Sequence, residues 1–306
     1  MSDPADKSNS SATGISASSG IQVEPFFDNE TFSYTYVVWD SASRQAAVID
    51  AVYDFDPFSG KLSDANADRV VEFITEHGLE LTWILETHVH ADHLSAAQLL
   101  KSRLGGRIGI GADIGKVQCV FAKVFNLENF ACDGAQFDEL LTEDSTLALG
   151  EHPIQVLATP GHTPACVSYL IDGNVFVGDT LFMPDYGTAR TDFPGGCAAR
   201  LYRSIQKLLA LPEDTRMYMC HDYGTDQRKT FTCQTTVAEQ RANNIHVGHP
   251  HSAEDFVAFR RNRDAQLSAP RLLYPAVQFN MRAGQLPRAE ANGTHYFKIP
   301  IKQTSM

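Results

Sequence analysis

The stretch Thr87-His88-Val89-His90-Ala91-Asp92-His93 constrains this chain more than any other part of it. Three histidines and an aspartate fall within six residues, directly after the apolar run Leu81-Thr82-Trp83-Ile84-Leu85. That run reads as a buried strand, and Leu94 to Leu100 reads as the start of a helix. The cluster therefore lies in a strand-to-helix loop at the carboxyl end of a strand, where open α/β sheets place their ligands. Imidazole and carboxylate together hold zinc, iron or manganese. A polar loop of ordinary composition seldom gathers such a set by chance.

The surrounding pattern alternates strands and helices. Phe32 to Trp39 and Gln45 to Val52 read as a hairpin turned at Asp40 to Arg44, and Asp54 to Asp64 as a loop. Val70, Val71, Phe73 and Ile74 mark a helix that Gly78 ends. Arg107 to Ala112 is a short strand opening into a helix near Asp113. Thr142 to Gly150 reads as turn and strand, Ile154 to Ala158 as strand, and Val167 to Ile171 pairs with Asn174 to Val177 across Asp172-Gly173. Leu201 to Leu211 reads as an amphipathic helix, Met217 to Met219 as a strand, and Thr232 to Asn243 and Ala253 to Asp264 as helices. The chain from Pro270 onward reads as loop-rich. Hairpins mixed with crossovers imply an α/β fold of two mixed sheets with helices outside. Residues 1–20 read as a disordered tail and 21–306 as one domain with a C-terminal extension, without a fixed-period repeat.

Three more strands end in a polar residue as the first one does. His162 follows Ala158 through Thr159-Pro160-Gly161, Asp179 follows Val175-Phe176-Val177-Gly178, and His221 follows Met217-Tyr218-Met219-Cys220. A single histidine near a strand end is ordinarily a satisfied structural residue. Four such stations in one chain look like the rim of one active site.

This ordered set, His-x-His-x-Asp-His, then Gly-His after Thr-Pro, then Gly-Asp, then a late His, resembles the metallo-β-lactamase superfamily from about residue 21 to at least residue 223. The resemblance implies an αβ/βα sandwich with the metal site at the edge of two central sheets. Gly178-Asp179, Arg190-Thr191-Asp192-Phe193 and His221-Asp222-Tyr223 are further similar to its persulfide dioxygenase branch, and Pro184 to Pro194 to bacterial forms labelled β-lactamase-like hydrolases. By that resemblance one Fe(II) per chain is held by His88, His162 and Asp179, with no organic cofactor. The reaction it implies takes glutathione persulfide, O2 and water to sulfite and glutathione. His90, Asp92, His93 and His221 then orient the ligands through hydrogen bonds.

Ligand counting alone leaves the metal open. The same four residues, with Asp179 bridging, suffice for the two zinc ions of a hydrolase of the glyoxalase II or lactamase type. Arg190 is expected to pair with a substrate carboxylate or, as the alternative, with Asp185 or Asp192. Tyr223 is expected at the substrate or in plain packing, and Asp222 in support of the neighbouring loop or of His221.

Composition excludes other classes. Apolar content is 43% and charged content 20%, as in soluble globular chains. Net charge is −12, and the short Arg260-Arg261-Asn262-Arg263 cluster reads as the solvated face of a helix, so no nucleic-acid partner is expected. No apolar run approaches the roughly 20 residues that span a bilayer, and the serine-rich start lacks the layout of a targeting peptide. Six scattered cysteines without a CxxC pair fit reduced thiols in the cytoplasm. Cys166 reads as core, Cys220 as close to the site, and His246 to His251 as a solvated loop. A homodimer is the expectation from the family.

Overall fold

A computed structural model describes residues 20–248 and 252–301 of the chain, so the expected tail lies, apart from Gly20, outside the described residues. Strand β1 (Ile21–Asp28) pairs antiparallel with β2 (Ser33–Asp40), and β2 with β3 (Gln45–Ile49), which is the expected hairpin. β1 has little sequence signal because Glu24 and Pro25 interrupt its apolar pattern. It is an edge strand with both residues exposed, where proline is tolerated. The segment expected as a loop after Val52 instead pairs β4 (Val52–Asp56) with β5 (Lys61–Ser63). Such short strands carry too few residues to show a period.

Helix α1 (Ala65–Glu76) buries Ala67, Val70 and Ile74 and ends before Gly78, which takes a left-handed φ of 56°. β6 (Glu80–Leu85) follows as the buried strand. Leu94 does not begin a helix: β7 (Leu94–Ser95) pairs with β4, and α2 (Ala97–Leu104) starts after it. β8 (Arg107–Gly111), α3 (Ile114–Val124) and β9 (Glu139–Leu141) complete the first half. Its sheet runs β1-β2-β3-β6-β8-β9, antiparallel up to β3 and parallel beyond.

The second sheet is built from β10 (Thr146–Leu149), β11 (His152–Ala158), β12 (Val167–Ile171) and β13 (Asn174–Phe176) as an antiparallel meander. After α4 (Ala198–Leu209), β14 (Arg216–Tyr218) joins β13 in parallel and β15 (Gln234–Thr236) closes the order. The stretch expected as helix from Thr232 is thus strand first. α5 (Val237–Asn243) begins where Thr236 accepts a capping bond from the Glu239 N–H. α6 (Ala253–Asp264) lies where the sequence places it, whereas the loop-rich tail holds an unexpected helix, α7 (Leu273–Asn280). Pro275 sits in its first turn, where the missing N–H costs nothing.

Alternation sorts the layers. Tyr34, Tyr36 and Val38 of β2 meet Val156, Tyr169 and Phe176 of the other sheet, while Val37 and Val48 face Val70, Leu100 and Val117 of the helices. On the far side Val175 and Met217 pack under Leu201, Ile205 and Phe256. Each such buried aliphatic side chain stabilises the fold by about 1.5–3 kcal/mol. The result is helices, sheet, sheet, helices, with the ends of β6, β11, β13 and β14 gathered at one edge.

Candidate metal centre

All seven metal-capable residues singled out in the sequence converge at that edge. His88, His162 and Asp179 present ligand atoms within 4.8 Å of one another, and so do His90, Asp92, His93 and His221. Asp179 joins the two groups. Its Oδ2 lies 3.8 Å from His88 Nε2 and 3.6 Å from His162 Nε2, while its Oδ1 lies 3.2 Å from His221 Nε2. His221 Nε2 is also 3.1 Å from Asp92 Oδ2.

Close backbone approach makes this convergence possible. Asp179 lies in a short 3-10 turn, Gly178–Thr180, and Gly178 takes a φ of 52° with its Cα against Thr87. A Cβ there would sit 2.5 Å from the Thr87 hydroxyl, so only glycine brings the carboxylate beside the histidine loop. Gly161 likewise passes Leu201 so closely that a Cβ would meet its backbone nitrogen at 2.3 Å.

Hydrogen bonds set the rings. The Thr87 hydroxyl donates to Asp50 Oδ2 at 2.8 Å, so its oxygen accepts from His88 Nδ1 at 3.0 Å and leaves the His88 Nε2 lone pair pointing inward. His162 Nδ1 donates to the Arg190 carbonyl at 2.8 Å with the same consequence. Ser33 Oγ stands 3.2 Å from Nδ1 of both His93 and His221. His90 Nε2 faces Asp50 at 3.1 Å and Glu86 at 3.3 Å. From α7, the Asn280 amide donates to the carbonyls of His90 and His93, at 2.9 and 2.8 Å, and its oxygen accepts from Ser95 N–H at 2.8 Å.

These residues fit a metal. Among the described residues, His88 Nε2, His90 Nδ1, His93 Nε2, His221 Nε2 and Asp179 Oδ1 are buried and none makes a well-aligned hydrogen bond, although the last two lie 3.2 Å apart. Each such atom costs about 1–3 kcal/mol unless something meets it, and all five belong to the two ligand groups. Burial, with the neighbouring His90, depresses the His88 and His93 imidazoles, which favours the neutral form that ligates. Burial pushes the Asp179 carboxyl up, but His221, His88 and His162 together outweigh it and hold it well below the usual carboxylate range. Deprotonated carboxylate and neutral imidazole are the forms a metal ion takes.

The cluster floors a cavity of about 360 Å³. His162, Asp179 and Asp92 open into it, with Phe182, Phe193 and Tyr223 among its walls. The Tyr223 ring stacks on His221 at 5.5 Å between centroids, and its hydroxyl has no partner among the described residues. Arg190 lines the cavity, but its guanidinium is bidentate to Asp192 at 2.6 and 2.7 Å and donates to the Ser268 carbonyl at 2.7 Å. The structural pairing with Asp192 is therefore present; Asp185 pairs with Arg228 instead. Asp222 accepts from Arg228, Gly224 and Thr232 and so ties down its own loop.

Other expectations change here. The arginine cluster of α6 is not a uniformly solvated face. Arg260 is 1% exposed, bound to Asp264 and the Thr188 carbonyl, and both Arg260 and Arg263 line the cavity. His246 is buried with its Nδ1 accepting from Thr188 N–H at 2.9 Å, while 249–251 of that run lie outside the described residues. Cys166 is core, and Cys220 is buried beside Asp179 and His221. Sequence reading missed Ser33, Asp50 and Asn280. Only Asp50 had a usable signal, since Val48-Ile49-Asp50 is another apolar strand ending in a carboxylate. Its φ of 53° marks it as strained backbone at the site.

Comparison with known proteins identifies the family of this fold. Residues 28–221 match the Metallo-beta-lactamase superfamily. A probable metallo-hydrolase of Burkholderia pseudomallei is 51% identical over 290 residues, covering 91% of this chain and 98% of that protein. The mitochondrial persulfide dioxygenase of Homo sapiens is 33% identical over 273 residues, covering 88% of this chain and 91% of that one. Among solved structures, ETHE1 from Myxococcus xanthus superposes with a TM-score of 0.69 at 31% identity, covering 86% of this chain and 100% of its own.

Proposed function

The chain belongs to the metallo-β-lactamase superfamily, and within it we propose that it is an iron-dependent dioxygenase of glutathione persulfide. The observation that carries the reading is the trio at the cavity floor. Nε2 of His88 and of His162 converge on one oxygen of Asp179, giving two histidines and one carboxylate beside open space. When bound, iron in such a set supplies open positions at which a persulfide and O2 can meet. Its likeness to persulfide dioxygenases lends the reading support beyond the fold.

In this reading His88, His162 and Asp179 are the ligands. The Thr87 hydroxyl and the Arg190 carbonyl keep two imidazole lone pairs aimed at one point, which limits the reorganisation that metal binding requires. Phe182 and Phe193 exclude water around the reacting end of the substrate. Tyr223, its ring fixed against His221, offers a free hydroxyl to the persulfide or its peptide. Arg190 forms the wall beside His162, with its fork shared with Asp192. His90, Asp92, His93 and His221 hold the neighbouring shell.

A second reading has its own observation. His221 Nε2 lies 3.1 Å from Asp92 Oδ2 and 3.2 Å from Asp179 Oδ1, which with His93 suits a second metal and a hydrolytic water. Elemental analysis of anaerobically purified protein, together with O2 uptake on glutathione persulfide, separates the two. About one iron per chain with persulfide-dependent uptake is the expected result. Two zincs per chain, no uptake and turnover of a thioester would replace the dioxygenase by the hydrolase.

A further inference from the structure

The cavity that the metal cluster floors is also lined by four arginines, Arg190, Arg260, Arg263 and Arg271, which differ in whether an ion pair matches them. Arg190 is compensated by Asp192, and Arg260 by Asp264. Arg263, on the last turn of α6, and Arg271, just before α7, also line the cavity. Both are exposed, and neither side chain makes a hydrogen bond or ion pair with a described residue. Beneath them the buried Arg260 keeps its Nε without an acceptor. Arg271 also lines a neighbouring cavity with Asp28, Glu30, Asp54 and Asp56, and its charge bears on Asp56 without a close ion pair. In a chain of net charge −12, two arginines that make no ion pair with a described residue concentrate positive charge at one cavity. Arginine's planar fork is the side chain suited to a carboxylate.

We infer that Arg263 and Arg271 form the carboxylate subsite of this cavity and select a substrate that carries carboxylates at the end remote from its sulfur. The inference rests on the proposed function in taking the cavity as the persulfide pocket, and it names what that pocket recognises. The metal cluster and the two arginines both line the cavity, so a small peptide thiol can place its sulfur at the metals and its carboxylates at the rim. Glu30 lines the same rim and suits an ammonium group of such a peptide. The segment after residue 250 thereby acts as a recognition element, since α6 carries Arg263, and the loop before α7 carries Arg271, to the cavity whose floor is built by strand ends.

Calorimetric titration of the iron-loaded protein with glutathione tests this without turnover. R263Q/R271Q is expected to weaken glutathione binding by about tenfold or more, because each lost contact is a charge-assisted hydrogen bond. R261Q, on the solvent side of the same helix, leaves it unchanged. In turnover the double variant raises KM for glutathione persulfide with kcat and iron content unchanged, whereas KM for the uncharged 2-hydroxyethyl persulfide stays the same. Unaltered glutathione affinity in the double variant overturns the subsite, as does an equal rise in KM for both persulfides. O2 uptake by the unsubstituted protein reports separately on the reaction. Absent uptake with arginine-dependent glutathione binding rejects the dioxygenase and leaves the carboxylate subsite standing.

Discussion

The two ligand groups that share Asp179 are built differently. His88 and His162 are each oriented from outside the cluster, by the Thr87 hydroxyl and the Arg190 carbonyl, so their lone pairs are fixed by partners that do not themselves ligate. His93 and His221 lean instead on a single hydroxyl, Ser33, and His221 also contacts Asp92 inside its own group. One position is thus preorganised by independent supports, the other by shared ones. A shared support couples its ligands, so damage to one is expected to spread within that group and spare the other.

Substitutions can break or sharpen this contrast. The largest effect is expected for Asp179→Ala, which removes the common member. Even a partner of a ligand is worth about 10–100-fold in metal affinity, so loss of the ligand should exceed that and abolish activity, read by elemental analysis after dialysis. Stoichiometric iron with activity in that variant would overturn the assignment. His221→Ala leaves His88 and His162 in place and removes one contact of the shared Asp179. It is expected to retain about one iron per chain while activity falls roughly 10–100-fold; metal loss equal to that of Asp179→Ala would favour the dinuclear hydrolase.

Asn280→Ala tests the backing of the loop that carries His90 and His93. It strands the Ser95 N–H and the carbonyls of His90 and His93. A stability loss of about 2–3 kcal/mol is expected in urea unfolding of the metal-free protein, and an unchanged midpoint would show that water replaces the amide. Ser33→Ala should be mildest, at about 1 kcal/mol of stability, with the His88 group still binding iron. Equal weakening of iron binding by Ser33→Ala and Asp179→Ala would erase the distinction between the groups.

Much of the candidate site was legible because the residues able to ligate sit where apolar strands stop. β6, β11, β13 and β14 each announce themselves by buried residues, and the polar residue that follows is conspicuous against them. Asp50 escaped notice because the strand carrying it was read three residues too long, which hid the carboxylate inside an apparent strand. α7 escaped because Pro275 and a short, mostly apolar stretch resemble loop as much as helix. The arginines of α6 were misread for another reason. Exposure at helical spacing predicts solvent, and nothing local in Arg260 or Arg263 reveals a cavity wall beside it.

By itself the sequence determined which side chains can ligate, that they follow strands, and through its motif order the superfamily and its layered sandwich. Those properties are local or ordered along the chain. The tertiary structure alone decided how Asp179 divides its oxygens between two groups, that Ser33 and Asn280 hold the histidine loop, and which cationic side chains remain unmatched. These are pairings across the fold, and Asn280 bonds to a carbonyl 190 residues away. Hydrogen-bond satisfaction and charge compensation are properties of pairs, so they become definite only when packing has brought both members together.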